Sequence, residues 1–427
     1  LEFEYRWPEI EQALMAAREV ETLEAALASA IALQPDLGRP DVYGHKLFAP
    51  GLDAAVPTIA RRLGLTDTRQ AKSNDNVCIV ATQLYASGGH SKVAYDISDL
   101  IGADRISAIY TDVYGKLKHT DLIGAMSTKT LKRRADVLLG ARDLVGKVVE
   151  LYNILAALRP TRIFMLTHHF DIVAAVALWP FRDVVEFLHH ADHVPSIGAT
   201  LAFSSHVDLT WTCHQACHAA QLAPIYAGMT VRGEREVGVE PRRDAGSPLR
   251  IATCGPLAKY RGAASHRWTD YAVAALAARD ASLVHIGPVD DDFRAEIAQT
   301  LTAAGIDPAR YSYTGAVPDL PAALIAERAN LYLSSYPVSG GKANLEAMAL
   351  GLPTVVPVDE GSPPLLQFDF PAATWTRISS PEALRSALQD RSPRDLADAE
   401  SRAVMSEELA RFERQVLDPP RPGSTSD

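Results

Sequence analysis

The sequence predicts an α/β chain of two Rossmann-like domains facing across a cleft, preceded by a small helical segment. Three observations carry that prediction. Short, β-branched apolar runs alternate with amphipathic stretches from residue 77 onward, which is the pattern of parallel sheets covered on both faces. A charged, Gly- and Pro-bearing stretch without periodicity interrupts the alternation at 231–248, and the alternation then restarts. Finally, 427 residues exceed one ordinary domain.

In order, 9–33 reads as helix from apolar residues recurring at spacings of three and four, with a second helical stretch near 52–65. Strands are expected at 77–82, 105–111, 162–166, 184–188 and 207–212, with helices at about 91–100, 128–158 and 171–179. After the interruption, strands are expected at 249–253, 282–286, 311–314, 330–334 and 354–358. Helices fit between them at about 266–279, 292–304, 319–328 and 341–350. The expected boundaries are therefore a helical segment over 1–75, a first Rossmann-like domain over 76–230, a linker over 231–248 and a second Rossmann-like domain over 249–427.

Composition excludes other classes. With 47% hydrophobic and 22% charged residues, the chain is neither disordered nor membrane-embedded. A net charge of −10 gives no general field for nucleic acid. Histidines and charges break the apolar stretch at 163–188, so no transmembrane segment is expected. The four cysteines are too few for a disulfide framework, and no basic-then-apolar leader opens the chain, so the expected location is cytoplasmic.

Three segments carry candidate chemistry. Gly340-Gly341 follows a strand and opens a helix, whose free N–H groups and positive end favour phosphate. Glu346 lies further along that helix, where a carboxylate accepts ribose hydroxyls. Gly88 and Gly89, beside His90, open the helix after the first strand and are read as an acceptor loop. His189, His190, Asp192 and His193 emerge past a strand end, where an imidazole could deprotonate an acceptor hydroxyl. His193 and His189, oriented by Asp192, are the first candidates for the base, with His90 next.

Cys213, His214, Cys217 and His218 make i, i+4 pairs, but the four do not share one helical face. Buried core cysteines are the expected reading there, and no metal site is expected. The absence of a Gly-x-Gly-x-x-Gly opening disfavours a dehydrogenase.

The run from Gly340 to Pro353, Gly-Gly-Lys-Ala-Asn-Leu-Glu-Ala-Met-Ala-Leu-Gly-Leu-Pro, resembles the donor-binding helix of GT-B glycosyltransferases. Its closest flavour is that of O-GlcNAc transferases and bacterial cytoplasmic adhesin N-glycosyltransferases. The resemblance implies a phosphate loop at Gly341, Lys342 and Ala343, a ribose acid at Glu346, a diphosphate lysine at Lys259 and base recognition by the turn bearing Gly315 and Val317. It implies a nucleotide diphosphate sugar, most simply a UDP-sugar, as co-substrate with no other cofactor, and a glycan, lipid-linked or protein acceptor.

Val338 stands eight residues before Glu346, where retaining members carry a second glutamate, so inversion is favoured. Metal-independent transfer is expected, with Lys259 and the helix start at Gly341 offsetting the charge of the leaving diphosphate. The alternatives are a nucleotide-sugar epimerase of the same fold and a non-catalytic nucleotide-sugar or carbohydrate-binding module.

Overall fold

The computed structural model describes residues 7–39, 41–67, 76–84, 89–102, 104–117, 135–190, 193–229, 248–262, 264–278, 280–359, 363–366, 376–390 and 401–417. The chain divides into two units, one comprising Leu1–Ala227 with Glu413–Asp427, the other Gly228–Phe412. The expected linker at 231–248 lies outside the described residues except for Pro248.

The first unit opens with three helices, α1 (Trp7–Ala16), α2 (Val20–Ile31) and α3 (Pro50–Arg62). The single helix expected over 9–33 is two, because Glu19 takes an extended conformation (φ −93°, ψ 152°) and the Thr22 hydroxyl donates to its carbonyl at 2.8 Å. No glycine or proline marks that break.

Then follow β1 (Val77–Ala81), α4 (Gly89–Ile101), β2 (Ile106–Tyr110), β3 (Ala135–Leu138), α5 (Leu144–Leu158), β4 (Arg162–Leu166), α6 (Ile172–Leu178), β5 (Val185–His189), β6 (Ser205–Asp208), α7 (Trp211–Ala219) and β7 (Pro224–Tyr226). The strands form one all-parallel sheet in the order β3-β2-β1-β4-β5-β6-β7. The long helix expected over 128–158 gives way to strand at β3, and Asp143 starts α5 by accepting from Gly146 N at 2.6 Å. The strand expected over 207–212 ends earlier, since Thr210 caps α7.

Every residue of β1, β2 and β5 is buried, as a parallel sheet covered on both faces requires. The apolar faces of α1, α2 and α3 join α5 and α6 in the same core, so the N-terminal helices have no separate core of their own. Asp53 ties α3 to the segment between β5 and β6. Its carboxylate accepts from Gly198 N at 2.6 Å and from Thr200 N and Oγ1 at 2.9 and 2.7 Å, and burial still pushes its acid up to about 6.

The second unit contains β8 (Leu249–Cys254), α8 (Trp268–Ala278), β9 (Ala281–Ile286), α9 (Asp291–Ala303), β10 (Tyr311–Gly315), α10 (Leu320–Ala326), β11 (Leu331–Leu333), α11 (Gly341–Ala349), β12 (Thr354–Pro357), β13 (Thr376–Ile378) and α12 (Pro381–Asp390). Its sheet is again parallel, in the order β10-β9-β8-β11-β12-β13.

The last described helix, α13 (Ser401–Leu417), spans the division between the units. The domain expected over 249–427 therefore ends differently, because Arg162 of β4 donates to the Val416 carbonyl at 2.5 Å while pairing with Glu186 at 2.6 Å. Among the described residues no helix is long and apolar enough to cross a membrane.

Candidate functional site

In a doubly wound sheet, ligands bind past the carboxyl ends of the strands where the strand order reverses. Those points are fixed here by topology, between β1 and β4 in the first unit and between β8 and β11 in the second.

At the second unit's reversal, β8 runs into Gly255 and β11 into Ser334-Ser335. The turn from Ser334 to Gly340 is cross-braced. Ser334 Oγ lies 3.1 Å from Ser339 Oγ and accepts from Gly340 N at 3.3 Å, and Ser335 Oγ donates to the Val338 carbonyl at 2.7 Å. Asn344 Nδ2 reaches back to Ser339 Oγ at 3.1 Å.

The first intrahelical bond of α11 is Asn344 N to Gly340 O at 2.8 Å, so the N–H groups of Gly341, Lys342 and Ala343 have no partner within the helix. Asp143, Asp171, Thr210, Asp290 and Asp319 cap other helices with side-chain oxygens, but Gly340 offers none. A Cβ at Gly340 would meet nothing nearer than 3.4 Å, so protein packing alone does not demand glycine there. A ligand approaching that backbone would.

Lys259 sits beside this start, its ammonium donating to the Ser339 carbonyl at 3.2 Å. Glu346 is buried further along α11, and Lys342 and Asn344 are buried with it. The structure thus brings Lys259, Gly340, Gly341, Lys342, Ala343 and Glu346 to one strand-end region. Gly315 ends β10 at φ 73°, and Val317 packs partly buried against the core cluster shared by α10 and α11.

Sequence reasoning named Gly315 but missed Gly287: β8, β9 and β10 all reach glycine at their carboxyl ends, at Gly255, Gly287 and Gly315. Gly287 has φ 146°, and a Cβ there would lie 2.1 Å from the Gly255 carbonyl oxygen. Gly287→Ala should therefore displace the Gly255 loop, lowering the melting temperature by several degrees, as a cost of about 1–3 kcal/mol implies. An unchanged melting curve would show that the loop has room to yield.

At the first unit's reversal, the carboxyl ends of β1, β2 and β4 are tied by Asp171. It accepts from the Thr82 hydroxyl at 2.6 Å and from that of Thr111, and caps α6 through Ala174 N at 2.9 Å. Thr82 Oγ1 also accepts from His168 N at 2.8 Å.

Around this brace stand four histidines. His90 Nε2 is 3.1 Å from the Gln83 carbonyl and 3.3 Å from His168 Nε2, and its ring stacks on that of His190 at 5.5 Å. His190 Nε2 is 2.8 Å from the Thr167 carbonyl, and the His169 ring lies 6.3 Å from that of His190.

Burial lowers all four imidazoles. His168 is pushed to about 3 by burial and then by His90 and Lys116, and His190 to about 3 by burial and then by His90. Burial also lowers His90, and takes His169 well below its ordinary value, with neighbouring histidines adding to the latter. At neutral pH these rings are uncharged proton acceptors.

A pH consequence follows for His168, which faces His90 from α4, Tyr114 and Lys116 from the turn after β2, and His169 beside it. Its folded pKa of about 3 lies below the 6.5 of an unfolded histidine, so the unfolded chain takes up the proton first. Stability is at full value above about 6.5 and falls as pH drops toward 3. His168→Gln should flatten the decline in melting temperature between pH 7 and 5. Parallel declines in the two proteins would remove His168 as a source of acid sensitivity.

The other site residues expected from sequence lie as follows. Gly89 is the exposed first residue of α4, whereas Gly88 and Asp192 lie outside the described residues. His193 sits edge-on to Tyr43 at 5.2 Å, and its carbonyl accepts from Gly44 N at 2.7 Å. His189 is not with the four histidines. As the last residue of β5 it points to the opposite face from His190, is fully buried, and lies within 3.2 Å of Cys213 Sγ.

The class defined by two parallel, doubly wound units in one chain is the GT-B fold. Solved structures share it. HepE from Anabaena, in complex with UDP-glucose, superposes with a TM-score of 0.57 at 14% identity, covering 80% of this chain and 98% of its own. The lipopolysaccharide outer core galactosyltransferase WaaB in its apo form gives 0.53 at 12% identity, over 81% of this chain and all of its own. TarM gives 0.52 at 10% identity, over 82% and 98%. At such identities the likeness is one of fold. No protein-family model matches the chain, and no curated protein matches its sequence.

Proposed function

We propose that the chain is a glycosyltransferase that moves a sugar from a nucleotide diphosphate sugar, a UDP-sugar, to a glycan, lipid or protein acceptor, with inversion and without a divalent ion at the leaving diphosphate. The observation that carries this reading is the uncapped start of α11 beside the Lys259 ammonium, with Glu346 buried along the same helix. As the glycosidic bond breaks, negative charge grows on the diphosphate. Backbone N–H groups and a lysine already in place stabilise that charge without reorganising.

The UDP ligand of HepE and the galactosyl transfer named for WaaB support the donor class. The flavour of the 340–353 run supports a donor helix of the O-GlcNAc and adhesin N-glycosyltransferase type. The neutral histidines at the first unit's strand ends supply the base that takes the acceptor's proton. A reducing, cytoplasmic setting suits four cysteines that are all free thiols.

Thermal-shift titration with UDP, GDP, ADP and their sugars tests the reading. A ligand at 100 times its Kd adds about 2.7 kcal/mol of stability, and one nucleotide family should stand out. UDP release that requires an added acceptor separates transfer from epimerisation. A flat response to every nucleoside diphosphate would sink the proposal.

A further inference from the structure

On the face of the first sheet opposite the four histidines, five donor side chains from three elements converge. His189 comes from the end of β5, His206 and Asp208 from β6, and Cys213 and Cys217 from α7. Strand and helix periodicity explain the convergence: His206 and Asp208 share a face at i, i+2, and the cysteines share one at i, i+4. Thr210 fixes the helix start by accepting from Cys213 N at 3.3 Å.

Four atoms define a closed figure whose six edges all fall between 3.0 and 3.5 Å. His189 Nδ1 lies 3.2 Å from His206 Nε2, 3.3 Å from Asp208 Oδ1 and 3.4 Å from Cys217 Sγ. His206 Nε2 lies 3.0 Å from Asp208 Oδ1 and 3.5 Å from Cys217 Sγ, and the Asp208 to Cys217 edge is 3.5 Å. A near-regular tetrahedron with such edges has its centre about 2.0 Å from each vertex, within the span of Zn–N, Zn–O and Zn–S bonds.

We propose that His189, His206, Asp208 and Cys217 bind one tetrahedral divalent cation, zinc by the chemistry of the donor set, as a structural site of the first unit. Imidazole, carboxylate and thiolate together select zinc over the oxygen-seeking magnesium and calcium. His206 Nδ1 is 3.0 Å from the Ala199 carbonyl, the outer hydrogen bond that fixes the tautomer leaving Nε2 as a bare ligand. Asp208 Oδ2 is 3.4 Å from His214 Nδ1, whose ring stacks on Trp211 at 5.1 Å. The His189, Asp208 and Cys217 side chains are fully buried and His206 nearly so. Four protein ligands in a closed pocket leave no position for substrate, so the ion ties β5, β6 and α7 together and takes no part in transfer. Cys213 Sγ, 4.0 Å from Cys217 Sγ, is the neighbouring thiol outside the tetrahedron.

Untagged protein, purified without chelator, should carry about one zinc per chain by elemental analysis. Cobalt exchanged into it should show intense tetrahedral ligand-field bands with a thiolate charge-transfer band. Cys217→Ser and His206→Ala should lose metal below about a tenth of an equivalent, whereas Cys78→Ala should keep it. Cys213→Ser should keep both metal and charge transfer. Should the ligand variants fail to fold, a thiol-reactive mercurial added to the wild type must release the zinc to a chromophoric chelator. Metal-free wild type that gives no cobalt spectrum after loading would overturn the site. So would a Cys217→Ser protein that keeps the charge-transfer band. None of these readouts depends on the glycosyltransferase reading.

Discussion

Lys259→Ala should weaken UDP binding by about 10- to 100-fold, the loss expected for a hydrogen bond made by a full charge. Turnover should fall further, by about 10²–10³, because the charge that Lys259 offsets is largest as the diphosphate leaves. The ammonium donates to Ser339 O, one residue before the uncapped start of α11, so it reinforces the helix dipole at one point. On the proposed reading, removing the ammonium leaves the backbone N–H groups of Gly341, Lys342 and Ala343 to seat the anion. Glu346→Ala differs in kind: if the α11 carboxylate recognises ribose hydroxyls, as proposed, it weakens UDP while leaving pyrophosphate binding intact. Calorimetric titration of both variants with both ligands distinguishes these outcomes. Wild-type affinities throughout would remove the donor assignment. Since Lys259 also braces the Ser334–Gly340 turn, Lys259→Arg serves as a control that keeps the charge.

The two sheets were legible in the sequence because their central strands are buried on both faces. Val77–Ala81 reads as an unbroken apolar run, and along Val185–His189 only Glu186 and the terminal His189 interrupt one. The edges were less legible. β7 and β13 are three residues each, too short to show periodicity, and β3 is continuous with apolar residues that fit a helix equally well.

The α11 start was legible because a paired glycine between strand and helix is a local signal. The His/Cys/Asp cluster was only half legible. Cys213 and Cys217 at i, i+4 were visible, but their partners proved to be His189, His206 and Asp208 rather than His214 and His218. Those partners are set by which face of the sheet a residue points to. That depends on strand register, and a one-residue slip would reverse it. The same uncertainty placed His189 with His193 as a base, although alternation along β5 turns His189 and His190 to opposite faces.

That division of faces also changes how metal independence must be tested. A strong chelator that stripped a structural zinc would unfold part of the first unit and abolish turnover for reasons unrelated to the diphosphate. The informative comparison keeps zinc in place and varies magnesium or manganese, and unchanged turnover across that series supports a leaving group stabilised by α11 and Lys259. Strict dependence on the added ion would defeat it.

The last expected result concerns the base. His90→Ala should lower turnover by about 10²–10⁴, the usual contribution of a positioned general base, while leaving UDP affinity within about twofold. His90 stands on the first turn of α4, at the strand-order reversal, where its ring is held by the Gln83 carbonyl at 3.1 Å and the His190 ring at 5.5 Å. Burial holds its imidazole below the ordinary 6.5, so the neutral form predominates at pH 7 and the acid limb of kcat/KM should lie below 6.5. His193→Ala, whose ring packs on Tyr43, should cost less than His90→Ala if the strand-end cluster holds the base. His189→Ala separates the two faces of the sheet. It should lower zinc content and melting temperature, whereas His90→Ala should change neither. Acceptor-dependent UDP release gives the rates. If His90→Ala, His168→Ala and His193→Ala all release UDP at the wild-type rate, the base is not in this cluster. The neutral histidines would then serve the packing of three strand ends around Asp171.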